Sequence, residues 1–186
     1  MNLPIHTIQT APEGSKSTLS EIEKAYKFIP NLFGMLAESP LAVTAYAHLN
    51  QLIQTTATLT PQEQQVAMLA VSGENGCEYC VAAHSAVAAM VQTPSATVQA
   101  VRECRLPEDP RMGALVRFAR QVVAERGWVK DDAVHAFLNA GFTRGQVLEV
   151  LVILSMKTLS NYANHLASTP LDPAFVSQKW SCSCGH

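Results

Sequence analysis

Two apolar stretches of this chain are announced by the same start signal. Thr60-Pro-Gln-Glu63 and Thr143-Arg-Gly-Gln146 each place a hydroxyl residue three positions ahead of a Glu or Gln, just before a run of apolar residues. In this capping-box pattern the hydroxyl accepts from the amide three residues on, and the longer side chain reaches back to the first amide. Pro61 reinforces the first signal, because a first-turn proline loses no hydrogen bond. The runs themselves, residues 66–71 and 147–154, are short enough to be buried strands if judged by hydrophobicity alone. The caps predict helix for both. Apolar almost all round, both helices should be covered on most faces.

The rest of the chain repeats the theme. Thr18-Leu-Ser-Glu21 predicts a helix to about residue 28, and residues 32–36 a short turn. Pro40 opens a helix to about residue 56, and the Thr60 helix runs to about 73. Further helices are predicted over 78–91, 94–104, 111–126, 131–139 and 143–166, punctuated by Pro94, Gly127, Gly141 and Pro170. About eight helices and almost no period-two alternation read as an all-α bundle. Residues 1–16 read as an N-terminal arm, 17–174 as the domain and 175–186 as a cysteine-containing tail. The step from Cys80 to His84 is faintly echoed by Asn161-Tyr-Ala-Asn-His165, which suggests a duplicated hairpin that brings Asn161 and His165 near the same site.

Composition narrows the function. With 186 residues, 48% apolar and 15% charged, the chain fills one core. The net charge is −2 and no Lys/Arg block stands out, so neither nucleic acid nor a membrane surface is an expected partner. The longest apolar run, 147–159, carries Glu149 and Lys157 and is too short to span a bilayer. It is apolar enough to suggest a subunit interface. The first twenty residues hold no apolar run, so no export signal is expected. The five cysteines are an odd count, which argues against a secreted disulfide framework and for a reducing, cytoplasmic setting.

The chemistry concentrates in Gly73-Glu-Asn-Gly-Cys77-Glu-Tyr-Cys80-Val-Ala-Ala-His84. Two thiols at this spacing at a helix start lie within disulfide reach. The helix N-terminus favours thiolate over thiol. His84 falls one turn beyond Cys80 on the same face, where an imidazole can take the thiol proton. Glu74 and Glu78 disfavour a thiolate at Cys77, so Cys80 is the better nucleophile and Cys77 the partner that closes the disulfide. A Cys-x-x-Cys also serves zinc sites, and a zinc-binding interaction module using Cys77, Cys80, His84 and ligands from the tail (Cys182, Cys184, His186) is the rival of another class. A thioredoxin-type fold, with 66–71 as the strand before the motif, is a further rival. Cys104 reads as a small half-buried side chain.

The string Asn75-Gly-Cys-Glu-Tyr-Cys80-Val-Ala-Ala-His84 resembles the signature of the carboxymuconolactone decarboxylase superfamily, in its alkyl hydroperoxidase D-like, peroxidase-related branch. Ile29-Pro-Asn-Leu-Phe33, Leu59-Thr-Pro61, Ala140-Gly-Phe-Thr143, Asn161-Tyr-Ala-Asn-His165 and Thr169-Pro-Leu-Asp172 extend the resemblance over about residues 25–180. It implies an all-helical fold assembled into trimers or hexamers, and a cofactor-independent thiol peroxidase. Cys80 would attack the hydroperoxide, Cys77 resolve, and His84 relay protons. A small or protein-borne dithiol would be the reductant. A disulfide reductase or redox sensor without strong peroxidase activity is the alternative. Two departures stand out. The relay glutamate expected twelve residues before the first cysteine is Gln65, which hydrogen-bonds but accepts no proton. Glu63 is rotated off that face and reads as the capping acid. A histidine common before the second cysteine is Tyr79, which can line the entrance, donate a hydrogen bond, or simply pack.

Overall fold

The computed structural model describes residues 1–181, and no strand occurs among them. Nine α-helices follow in order: α1 Glu13–Tyr26, α2 Asn31–Leu36, α3 Pro40–Thr56, α4 Pro61–Glu74, α5 Glu78–Met90, α6 Ser95–Arg102, α7 Pro110–Ala124, α8 Asp131–Asn139 and α9 Arg144–Ala167. A 3-10 turn over Pro173–Gln178 closes the described chain. Both segments that compete as strands lie inside helices, α4 and α9, which removes the thioredoxin alternative. Both capping boxes form. Thr60 Oγ1 accepts from the Glu63 amide at 3.2 Å and Glu63 Oε2 from the Thr60 amide at 2.8 Å. Thr143 and Gln146 repeat the exchange at 3.1 and 2.9 Å.

The first helix departs from its sequence signal. It starts at Glu13 rather than at Thr18, directly after Pro12, whose extended ψ of 144° marks the boundary. Thr18 is therefore inside the helix, and its hydroxyl meets Thr44 Oγ1 at 3.3 Å. The 3-10 turn is the other difference. Asp172 fixes its start: Oδ1 accepts from the Asn31 amide at 3.0 Å and Oδ2 from the Tyr79 hydroxyl at 2.5 Å. Its end is held by Trp180, buried, whose indole N–H donates to Arg102 O at 2.8 Å, while the Arg102 guanidinium donates to Gln178 O and Lys179 O.

Helix α4 is the centre of the bundle. It is buried continuously from Glu63 to Gly73 and packs against α5, α6, α7 and α9. A helix covered on every side needs no polar face, which explains its missing amphipathic period. Glu63 does more than cap: its Oε1 also pairs with Arg111 Nε at 2.6 Å, and Arg111 lies 3.8 Å over the Phe142 ring. Phe118, Phe137 and Phe142 form a stack beside it, with centroids 4.5 and 4.2 Å apart. No single helix among the described residues is long and apolar enough to cross a membrane.

The turn from α4 to α5 sets the position of the site. Gly76 takes φ +66°, its amide donates to Gly73 O at 3.0 Å, and the Cys77 amide donates to Ser72 O at 2.9 Å. These two bonds are a Schellman motif with glycine in its left-handed position. The same turn makes Cys77 the N-cap of α5. A side chain at position 76 meets no neighbouring atom, so the penalty for adding one is purely conformational. Gly76→Ala is expected to lower stability by about 1–2 kcal/mol, read as a shifted urea midpoint at unchanged slope.

Candidate active site

Cys77 and Cys80 stand at the first turn of α5, each 1% exposed and each a free thiol. The facing wall is a polar stripe on the otherwise apolar α9. Lys157, Ser160, Asn161 and Asn164 follow one another at helical spacing and are all buried. The Asn164 amide donates to Cys80 Sγ at 3.3 Å and approaches Cys77 Sγ at 3.8 Å. Ser160 Oγ lies 3.8 Å from Cys80 Sγ. Asn161 Oδ1 accepts from Asn75 Nδ2 at 2.9 Å, and Asn161 Nδ2 sits 3.5 Å from Ser72 Oγ. The stripe thus holds both the cysteines and the turn that carries them. Of the two residues the motif's echo brings near the site, Asn161 joins it and His165 does not: His165 is exposed and stacks on Tyr162.

His84 lies between two partners. Its Nδ1 is 2.9 Å from Gln65 Oε1, and its Nε2 is 2.7 Å from Lys157 Nζ. An amide oxygen only accepts, so Nδ1 carries the proton and the Nε2 lone pair accepts from the lysine ammonium. With both ring nitrogens engaged, His84 makes no direct hydrogen bond to Cys80 among the described residues. Lys157 bonds His84 and acts on Cys80 through its charge.

The two sulfurs differ in proton affinity. Burial pushes the Cys80 thiol up, but the hydrogen bond from Cys77, the Lys157 charge, and hydrogen bonds from Ser160 and Lys157 outweigh it and hold Cys80 well below the usual thiol value. Cys77 moves up, first because its proton is held in the hydrogen bond to Cys80, then through burial. The asymmetry expected from Glu74 and Glu78 is therefore present with a different origin, since the sulfurs and Lys157 set it. Burial and the adjacent Lys157 charge hold His84 well below its ordinary value, in its neutral form. Lys157 is raised: burial opposes its charge, but Cys80, Tyr46 and Cys77 favour it.

A cavity of about 320 Å³ opens onto this cluster. Tyr26, Phe28, Phe33, Tyr46, Tyr79 and Phe175 supply aromatic walls, and Cys80, Gln65, His84 and Lys157 also line it. Tyr79 is a wall residue whose hydroxyl is occupied, donating to Asp172 and accepting from the Leu32 amide at 3.2 Å. Its ring meets Phe175 edge-on at 6.3 Å, so the 3-10 turn forms part of the cavity wall.

Sequence reasoning names Cys77, Cys80, His84, Gln65 and Tyr79, and the fold brings all five to this one cavity region. The echo of the motif also points to Asn161, which joins the site, but Lys157, Ser160 and Asn164 are missed. Their signal is present: a lysine and two small polar residues at one helical spacing within a greasy run. Cys104, at φ +61° past the end of α6, is half-buried and away from the lining. Among the described residues, no group of three or more His, Cys, Asp or Glu side chains is placed to hold a metal ion. Cys182, Cys184 and His186, which the zinc alternative invokes, lie outside the described residues.

Residues 40–121, which contain α3, α4, α5 and the two thiols, match the carboxymuconolactone decarboxylase family. The whole described chain adopts an AhpD-like all-helical fold. It is similar to the crystal structure of a peroxidase-related protein with an alkylhydroperoxidase AhpD core from Ralstonia eutropha JMP134, at TM-score 0.83 and 24% identity over 94% of this chain and 93% of that one. A peroxidase-related protein from Silicibacter sp. TM1040 gives TM-score 0.79 at 15% identity, covering 94% and 92%. The debrominase Bmp8, a cysteine-to-alanine variant in complex with 2,3,4-tribromopyrrole, gives 0.78 at 15% identity over 96% of each chain. At these identities the likeness is one of fold. No curated protein matches the chain in sequence.

Proposed function

We propose that this protein is a thiol-dependent reductase of organic hydroperoxides, working through Cys80 and Cys77 without a resident cofactor. The observation that carries the reading is the pair of buried thiols at one helix start, facing Asn164 and Ser160, with Cys80 held well below the ordinary thiol value and Cys77 pushed above it. Cys80 is the peroxidatic residue. Its thiolate attacks the distal oxygen of the hydroperoxide, the O–O bond breaks, and a sulfenic acid and an alkoxide form. Cys77 then attacks the sulfenic sulfur, giving a disulfide and water, and a dithiol donor restores the pair by exchange. Gln65 holds the His84 tautomer, and His84 acts as a relay in the proton traffic. The cavity's aromatic walls suit an organic substituent on the peroxide. The exposed Leu148, Leu151 and Leu166 of α9 support assembly into a homo-oligomer, for which the family resemblance implies a trimer or hexamer.

The test is a thiol count. Adding one equivalent of an organic hydroperoxide to the reduced protein is expected to remove two thiols per subunit, with a Cys77–Cys80 disulfide in the peptide map. Unchanged thiols, or oxidation confined to other cysteines, would overturn the proposal. Parallel assays separate two other outcomes. Rapid reduction of a small disulfide with slow peroxide turnover would favour the disulfide-reductase alternative, for which the neutral Gln65 is the supporting observation. The aromatic cavity and the fold shared with a debrominase support a second electrophile class, halogenated aromatics. There the thiolate takes the halogen, the ring takes a proton, and Cys77 displaces halide.

A further inference from the structure

Lys157 is an ammonium with 0% exposure, midway along the apolar α9. An unpaired charge in such a place is prohibitive, and a buried cation is held by an anion. None of the ion pairs among the described residues includes Lys157. The ionisable acids that act on it are Cys80 and Cys77 on α5 and Tyr46 on α3, and no carboxylate is among them. From α4 and α5 it faces groups that stay neutral, Gln65 and the Nε2 lone pair of His84 at 2.7 Å. Tyr46, buried in the cavity wall, keeps its proton, as does Cys77. The anion that remains is the Cys80 sulfur.

We propose that Lys157 is a catalytic residue of this site, the fixed cation that keeps Cys80 as a thiolate in the reduced protein and the proton donor to the leaving alkoxide. The position where the family resemblance expects a relay carboxylate holds Gln65, so the proton is stored on an amine rather than accepted by an acid. The steps balance on this assignment, which rests on the thiol chemistry proposed above. The reduced site holds Cys80 thiolate, Lys157 ammonium and Cys77 thiol. Attack on the distal oxygen forms the S–O bond and releases an alkoxide, which takes one proton from Lys157 and leaves as an alcohol. Cys77 displaces the hydroxyl of the sulfenic acid, and its own proton departs with that hydroxyl as water. The oxidised site then holds a disulfide and a neutral amine, so no buried cation is stranded without its anion. A dithiol donor returns two electrons and two protons, one to Cys77 and one to Lys157, and regenerates the starting charges.

The experiment measures Cys80 without peroxide. In a Cys77→Ser background, the alkylation rate of Cys80 by iodoacetamide is followed against pH, with the modified peptide identified by mass. With Lys157 present the rate is expected to be flat from about pH 6 to 8. In Lys157→Met, a near-isosteric apolar change, it is expected to fall about a hundredfold at pH 7 and to climb roughly tenfold per pH unit up to about pH 9, as an ordinary thiol does. Lys157→Arg is expected to restore the flat profile. If the Met variant does not fold, Lys157→Gln takes its place, with the circular dichroism spectrum as the check. A profile that stays put on loss of the charge would overturn the assignment. A shifted profile in a protein that reduces no hydroperoxide would leave Lys157 as the thiolate's cation and refute the substrate class instead.

Discussion

Cys80→Ser is expected to abolish hydroperoxide consumption, a loss of roughly three orders of magnitude or more, while Cys77→Ser consumes one equivalent per subunit and stops. The two variants separate the halves of the reaction. A serine hydroxyl at position 80 keeps its proton even beside an ammonium, so no nucleophile forms. A serine at 77 preserves a donor toward Cys80 but cannot displace the sulfenic hydroxyl. The sulfenic acid then accumulates and reacts with a dimedone-type reagent at Cys80. Both residues are 1% exposed, and the change of one atom leaves the packing of α5 on α4 intact. The variants are therefore expected to keep the far-ultraviolet spectrum of the parent. Normal turnover by Cys80→Ser would end the proposed mechanism. Normal turnover by Cys77→Ser would show that the incoming dithiol, rather than Cys77, resolves the intermediate.

The asymmetry between the sulfurs was legible in the sequence, but its cause was not. A helix start, two cysteines and a histidine one turn on are local features, and local features survive translation from sequence to structure. Cys77 caps α5 because Gly76 ends α4, and both facts follow from residue type at a fixed spacing. The cation that orders the site comes from a helix more than seventy residues away, and it sits in the run that reads most plainly as core. Lys157 counts against a membrane span in the sequence. In the fold it is the charge around which Cys80, His84 and Tyr46 arrange their protons. The same limit hid the end of the chain. Pro170, Asp172 and Pro173 mark a break, but only the tertiary placement of Asn31 and Tyr79 shows that Asp172 latches the turn that walls the cavity. The start of α1 failed for a simpler reason: a cap-like string at Thr18 lies inside a helix that Pro12 had already started.

Acid should destabilise this fold sooner than its net charge of −2 suggests. His84 is held well below its ordinary 6.5, so below pH 6.5 the unfolded chain binds a proton that the folded one refuses. Stability from this group is present above 6.5 and is lost as pH falls toward the folded value. Cys80 is held well below 9.0, so the folded thiolate is short of a proton that the unfolded thiol carries. Its contribution is complete above 9.0 and declines as pH falls through the folded value. Cys80 thus acts from 9.0 down to its folded value, at about 1.4 kcal/mol per pH unit, and His84 adds a like slope from 6.5 down to its own. Lys157 is raised and has the opposite sign: its contribution is complete below 10.5 and disappears only in stronger alkali, outside this window. Urea midpoints of the reduced protein from pH 8 to 5 are expected to fall with a slope that steepens near 6.5. His84→Gln keeps an acceptor for Lys157 and removes the imidazole, so it should lose the steepening while retaining the shallower slope. Cys80→Ser should lose the shallower slope and retain the break. Curves for the two variants that parallel the parent would show that neither proton is linked to folding, and the buried thiolate–ammonium–imidazole cluster would then be wrongly charged.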